Sequence, residues 1–219
     1  MQITQGGDER LIGAKQTEKK DSKPCMENRE GKTEDRRIRK TKQAIQSSLY
    51  RLLRKKELRE IRVKELAECA DINRGTFYRY YEDVEDILQE SEQDFLEEIH
   101  EIFDQWDAGQ SDPEQRPVKE LYEVCKSHAE LLEIVFAEER DPEFMIALWQ
   151  LIRRKLAWKM EIECGRDGEE AESQGGFLAG GCIAILKEWI AKGWSQPSDE
   201  IAEKTERCLF LLMPERKQL

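Results

Sequence analysis

From Val84 to Trp106 one face returns every third or fourth residue and is apolar except at Ser91: Val84, Ile87, Leu88, Ser91, Phe95, Ile99, Ile102, Phe103 and Trp106. That period matches one face of an α-helix and not a strand, whose faces alternate every second residue. At 1.5 Å per residue such a helix is about 35 Å long. It is long enough to leave one small packing unit and enter another. Glu82-Asp83 just before it supplies the acidic N-terminus that the helix dipole favours. Ile45, Leu49, Leu52 and Leu53 form a similar stripe within a helix expected over about Asp35 to Lys55. No strand-type alternation occurs anywhere, so the expected fold class is all-α.

Val63 to Tyr81, VKELAECADINRGTFYRYY, reads as two short helices with a tight turn between them. Val63, Leu66, Ala67 and Ala70 line one face of the first. Asp71-Ile72-Asn73 breaks the pattern, and Asn73 is a good N-cap for a second helix starting at Arg74, because its side-chain oxygen can accept from free backbone N–H groups. The second segment carries Arg74, Thr76, Tyr78, Arg79 and Tyr80 around one apolar pair, Phe77 and Tyr81. A helix so rich in Arg and Tyr has little surface for packing alone. Its donors and rings suit phosphates and base edges.

Charge is distributed to match. The whole chain of 219 residues carries −11. Residues 36–81 hold 14 Lys and Arg against 5 Asp and Glu, or +9, whereas residues 82–219 hold 15 against 34, or −19. A short basic segment joined to an acidic body implies polyanion contact through one end only. Residues 1–34 are polar and aperiodic and read as a flexible arm. The domain boundaries expected are therefore 1–34 for the arm, 35–82 for the basic helical domain and 83–219 for the rest.

Beyond the long helix, Gly109 to Pro117 is a break with Asp112-Pro113 as a helix start. Val118, Leu121, Tyr122 and Cys125 mark the next helix. Ser127 to Glu130 has the form of a capping box before Leu131, Leu132, Val135 and Phe136. Asp141-Pro142 opens a helix to about Cys164, and Gly165 to Ser173 reads as a loop. Two helices close the chain, about Gln174 to Lys192 and Ser198 to Leu212. An interior Gly costs about 1 kcal/mol against Ala in a helix, so the Gly180-Gly181 pair implies close approach by another helix.

The six cysteines stand far apart, with no C-x-x-C, and read as reduced thiols packed as small apolar groups. Neither a metal nor another cofactor is expected. No Gly-rich phosphate loop and no metal-spaced cluster is present, and the two histidines, His100 and His128, leave little for acid–base chemistry; the chain does not read as an enzyme. It has no stretch suited to a bilayer and no secretion-signal pattern, which predicts a cytoplasmic protein with no membrane partner.

Asn73-Arg74-Gly75-Thr76-Phe77-Tyr78, preceded by a hydrophobic–Ala pair and a turn and followed by an acidic step into a long helix, resembles the TetR/AcrR family of transcriptional regulators. The match is most specific over Asp35–Gln89, and the tail from Phe177 to Phe210 is similar to one branch of the family's regulatory domain. Arg62, Asp71 and Val84 depart from the family pattern, which commonly has Thr, Gly and Lys there. The resemblance implies a three-helix helix-turn-helix domain joined by a long helix to a helical regulatory and dimerisation domain. It implies a homodimeric repressor that binds a palindromic double-stranded DNA operator and is released by a small-molecule effector.

On that reading Arg74 and Thr76 approach base edges, while Tyr78 and Tyr80 bond phosphates. Arg39, Lys42, Arg62 and Lys64 are phosphate clamps, and Asn73, Gly75 and Arg79 complete the DNA-binding set. Candidate effector-pocket residues are Phe103, Trp106, Tyr122 and His128, with Phe136, Met145, Trp149 and Phe177. The dimer interface is expected to use Leu178, Gly181, Ile185 and Trp189 from one terminal helix, and Ile201, Thr205, Cys208 and Leu212 from the other. The alternative is a helical adaptor of this fold with weak or lost DNA binding.

Overall fold

The computed structural model describes residues 27–107, 117–137 and 141–212. Every regular element among them is helical: α1 (Glu27–Leu53), a 3-10 turn (Leu58–Glu60), α2 (Val63–Cys69), α3 (Arg74–Phe77), α4 (Glu85–Asp107), α5 (Pro117–Ser127), α6 (Ala129–Val135), α7 (Pro142–Cys164), α8 (Gly168–Ala191) and α9 (Ser198–Leu212). The expected all-α class is what the structure shows. The chain divides into two compact units, residues 1–39 and residues 40–219.

In the first unit, α1 begins at Glu27, ahead of the expected Asp35. The sequence there has no apolar stripe, so hydrophobic periodicity is silent on these first turns. Most of the expected arm, residues 1–26, lies outside the described residues, as does Asp112-Pro113.

In the second unit one apolar core runs the length of α4. Ile87, Phe95, Ile99 and Phe103 are all buried, Phe95 completely, which is the stripe read from the sequence. The one polar member of that stripe is satisfied: Ser91 donates its hydroxyl to the Ile87 carbonyl at 2.6 Å and accepts from Gln46 Nε2 at 2.7 Å. Asp83 caps α4, accepting from the amides of Glu85 (2.8 Å) and Asp86 (3.1 Å), while Asp86 reaches back to the Glu82 amide at 2.7 Å. Ile45, Leu49 and Leu53 of α1, Leu66 of α2 and Phe77 of α3 join the same core.

α7 and α8 form a hairpin around a smaller cluster of Leu156, Met160, Ala171, Leu178 and Ala179. The expected loop from Gly165 to Ser173 is mostly helix. Asp167 caps α8 by accepting from the Glu170 amide at 2.9 Å, and Glu169 and Glu170 in the first turn complement the dipole. Only Gly165–Asp167 connects the two helices, with Gly165 in the left-handed conformation at φ 65°. Within this chain the close approach of another helix is at Gly175, where a Cβ would stand 2.8 Å from the Ala157 amide nitrogen and 2.9 Å from the Arg153 carbonyl oxygen. Gly180 and Gly181 have no atom within 4 Å of such a Cβ and are exposed.

The capping box read at Ser127–Glu130 does not form. Ser127 ends α5 and donates its hydroxyl to the Val124 carbonyl at 2.8 Å, a local bond that competes with capping. His128 takes the N-cap position of α6 without a side-chain bond to it.

Candidate nucleic-acid interface and core cavity

The turn between α2 and α3 is built by backbone conformation. Asp71 adopts φ 54°, the left-handed region, and the Ile72 amide donates to the Ala67 carbonyl at 3.0 Å, closing the end of α2. Asp tolerates this conformation better than most residues, at some strain. Asn73 then caps α3: its Oδ1 accepts from the Thr76 amide at 2.7 Å and from the Thr76 hydroxyl at 3.1 Å. Arg62 precedes α2 without a side-chain cap bond.

α3 is shorter than the segment expected to run to Tyr81. Regular helix ends at Phe77 and Tyr78–Tyr80 form a turn. The Tyr80 amide donates to the Phe77 carbonyl at 2.9 Å, tightening the chain as Phe77 and Tyr81 both enter the core. Their rings lie 5.9 Å apart, and Tyr78 stands edge-on to Phe77 at 5.4 Å. With Phe77 fully buried, Tyr78 remains 59% exposed, and Arg74, Gly75 and Arg79 are exposed beside it. Tyr80 is half-buried against the core, and Thr76 is half-buried with its hydroxyl on Asn73.

The expected basic clamps behave differently from one another. Arg39 is exposed on α1 in the first unit, and Arg62 is exposed before α2. Lys64 is exposed, 3.9 Å from Glu68. Lys42 is drawn inward: it pairs with Glu90 of α4 and lies over the Tyr81 ring at 5.4 Å, while Tyr81 donates its hydroxyl to Glu90. Burial opposes ionisation of Glu90, but the bonds from Lys42 and Tyr81 outweigh it and hold its carboxyl below the ordinary value. Burial and the same carboxylate push the Tyr81 phenol well up. This trio ties the turn after α3 to α1 and α4. Arg51 braces α2 from α1, donating to the Cys69 carbonyl at 2.9 Å. Neither arrangement is legible in the sequence, because the partners stand far apart along the chain.

A cavity of about 80 Å³ lies between α4, α5, α7, α8 and α9. Of the expected pocket residues, Phe103, Trp106 and Tyr122 line it. The others are elsewhere. Phe136 is buried at the end of α6; Met145 is half-buried on α7; Trp149 donates to the Gly176 carbonyl at 3.3 Å. His128 faces an open acidic cleft, 3.1 Å from Glu98, and Phe177 is 74% exposed. Lys155 is a lining residue that hydrophobic patterning misses. It is buried, donates to the Phe103 carbonyl at 2.9 Å and lies 5.4 Å from the Trp106 ring centre. Burial raises the Cys125 thiol to about 12 and the Cys182 thiol to about 11, so both wall thiols stay protonated.

The expected dimer residues divide too. Leu178, Trp189, Ile201 and Thr205 are buried inside this chain, because α8 and α9 spend one side on α7 and α5. Gly181 and Cys208 are exposed and Ile185 is half-buried; the Leu212 side chain lies outside the described residues. Phe177, Phe210 and Leu211, 74%, 70% and 77% exposed, add apolar surface to these helices. Among the described residues no cluster of His, Cys, Asp or Glu is placed to hold a metal, and no helix is long and apolar enough to cross a membrane.

Residues 115–210 match the TetR-type family model described as "Transcriptional regulator C-terminal region". The chain is 23% identical over 164 residues to an uncharacterized HTH-type transcriptional regulator, YxbF, of Bacillus subtilis (strain 168), covering 73% of this chain and 42% of that relative. It thus spans less than half the length of that curated relative. Among solved structures it is similar in fold to the dihydroxyacetone kinase operon activator DhaS, with TM-score 0.56 and 19% identity over 79% of this chain and 96% of that one. It is likewise similar to a putative TetR-family regulator from Syntrophomonas wolfei, with TM-score 0.57 and 18% identity over 80% and 95% of the two chains.

Proposed function

We propose that the chain is a TetR-family transcriptional regulator, as the match of residues 115–210 and the curated relative support, and that it is a dimeric, cytoplasmic DNA-binding repressor that reads a palindromic operator through α3 and its following turn. The observation that carries the reading is the capped α3 itself. Asn73 holds its first turn and Phe77 anchors it completely, while Arg74, Tyr78 and Arg79 stand exposed on the most basic part of the chain. In the major groove Arg74 can bond a guanine edge bidentately and Thr76 can meet a thymine methyl. Tyr78, Tyr80, Arg79, Arg62, Lys64 and Arg39 then bond phosphates and fix register. Lys42 serves instead to orient the turn through Glu90 and Tyr81.

Two such surfaces are needed for a palindrome. The exposed face of α8 and α9, with Phe177, Gly180, Gly181, Ala184, Cys208 and Leu211, supports pairing with a second copy. Small residues there allow helix backbones to come close. Control is assigned to a small-molecule effector in the core cavity. A ligand that prefers the non-binding state shifts DNA affinity by its differential binding, ordinarily about 1–3 kcal/mol.

The test is fluorescence anisotropy with the DNA upstream of the protein's own gene, across a salt series. Specific binding with a log–log salt slope of about −0.9 per phosphate neutralised supports the reading. Equal affinity for that fragment and for random DNA, or a flat salt response, sinks it and favours an adaptor of the same fold.

A further inference from the structure

Among the described residues other than glycine, Asp71 and Trp194 adopt a left-handed backbone, at φ 54° and φ 58°. Asp tolerates the conformation; for a bulky side chain it persists only where the surroundings over-determine it. Trp194 stands in the turn between α8 and α9 and is buried. Its amide donates to the Trp189 carbonyl at 3.1 Å, and the two rings meet edge-on at 4.8 Å. Lys126 of α5 lies 4.9 Å from the Trp194 ring centre. The indole N–H reaches a further element, donating to Glu133 Oε1 of α6 at 2.9 Å. The other oxygen of that carboxylate, Oε2, accepts from Arg54 at 3.1 Å, and Arg54 also reaches Glu130 at 3.3 Å. Arg54 directly follows α1. Leu131, Leu132, Ile134 and Val135 of α6 are buried, so Glu133 stands on a fixed base.

We propose that Glu133 is a positioning residue for DNA recognition. By accepting from Arg54 and Trp194 together it fixes the end of α1 relative to the α8–α9 turn, and thereby the spacing of half-sites that a dimer can read. The spacing role rests on the functional reading, which puts DNA contact at α3 and pairing on α8 and α9; the link between the two ends does not. A displacement of Arg54 is passed to the reading surface, because Arg51 is bonded to Cys69 of α2 and Ile45 and Leu49 share a core with Phe77. An exposed ion pair is ordinarily a weak tie, since two long side chains must be ordered to form it. Here the indole already orders the carboxylate through its first oxygen, so less freedom is lost when Arg54 takes the second.

The experiment uses the full chain and hydrogen exchange read by mass spectrometry. The amides of Arg54, Lys55 and Lys56 at one end, and of Lys192, Gly193 and Trp194 at the other, are hydrogen-bonded and so report local opening. Arg54→Ala should speed exchange in the α8–α9 turn by about two- to fivefold, the range that one exposed ion pair commands. Trp194→Phe, which removes the N–H and keeps a ring, should do the same at the end of α1. Glu133→Gln keeps the shape but cannot accept through both side-chain atoms, and in that background both transmitted effects should vanish. An unchanged turn in Arg54→Ala overturns the proposal, as does a transmitted effect that survives Glu133→Gln. The second arm is binding to the DNA upstream of the protein's own gene. One base pair inserted at the centre of symmetry moves one half-site by about 3.4 Å and about 35° relative to the other. The unaltered protein should lose at least about tenfold in affinity, because a rigid dimer then cannot engage both half-sites, and Glu133→Gln about threefold or less. Equal losses refute the spacing role. If the unaltered protein does not prefer that fragment to random DNA, the functional reading fails and the spacing role with it, while exchange still decides the link.

Discussion

Replacing Gly175 by Ala should destabilise the chain, although the same change at its neighbours Gly180 and Gly181 should stabilise it. All three lie inside α8, so intrinsic propensity favours Ala at each by about 0.8–1 kcal/mol. Packing separates them. At Gly175 the new methyl would stand 2.8 Å from the Ala157 nitrogen, 2.9 Å from the Arg153 oxygen and 3.0 Å from the Ala157 Cα. All three atoms are backbone and cannot rotate away, so α7 and α8 must separate by about half an ångström to restore ordinary contact. Overpacking of this kind costs about 1–3 kcal/mol. With backbone on the receiving side the upper part of that range applies, leaving a net loss of about 1–2 kcal/mol after the propensity gain. For a chain of this size that lowers Tm by about 2–8 °C. At Gly180 and Gly181 a Cβ meets nothing within 4 Å, so the propensity gain stands alone. Urea unfolding followed by far-ultraviolet circular dichroism, repeated at several protein concentrations, checks both signs and separates folding from association. Gly175→Ala as stable as Gly180→Ala would refute the close-approach argument. A loss of concentration dependence in Gly181→Ala would mark the exposed face as the place where a second copy packs.

Arg74→Ala should weaken binding to the upstream DNA by about 1–3 kcal/mol and relax specificity at one position; unchanged anisotropy titrations for operator and random DNA would remove Arg74 from the interface. Asp71→Gly relieves the strain of φ 54° and should raise the unfolding free energy from urea titrations by up to about 1 kcal/mol, whereas Asn73→Ala, which removes the α3 cap, should lower it by about 1 kcal/mol. Glu92 makes stability depend on pH. Burial, then repulsion from Asp141 and a hydrogen bond with it, raises its carboxyl from the ordinary 4.5 to about 8. A folded-state value above the unfolded one gives stability that is complete below about 4.5 and lost as pH rises through about 8. Glu92→Gln should flatten that fall between pH 5 and pH 8 in urea midpoints; an unaltered slope would assign it to other groups.

Periodicity along the chain determined that this protein is helical, where α4 runs, and which residues of α4 are buried, because a repeating apolar face has one stable environment. Local chemistry did as much for the turn into α3: Asp71 in the left-handed region and Asn73 as cap follow from interactions within a few residues, which sequence displays directly. The exposed Arg74, Tyr78 and Arg79 beside a buried Phe77 were legible for the same reason. Tertiary structure alone decided what depends on partners distant in the chain. Lys42 looks like any basic residue of α1 until Glu90 and Tyr81 come against it. Within one chain the demand for a small residue falls on Gly175, which faces the α7 backbone, and not on Gly180-Gly181, which face away from it. Leu178, Trp189, Ile201 and Thr205 share a helical stripe with residues that face outward, and only the placement of α5 and α7 fixes which side is inside. Lys155 is the sharpest case: nothing in its neighbours distinguishes it from a solvated lysine, yet the fold buries it beside the cavity, hydrogen-bonded to Phe103. A helical pattern states that a side will be buried; only the assembled helices determine against what.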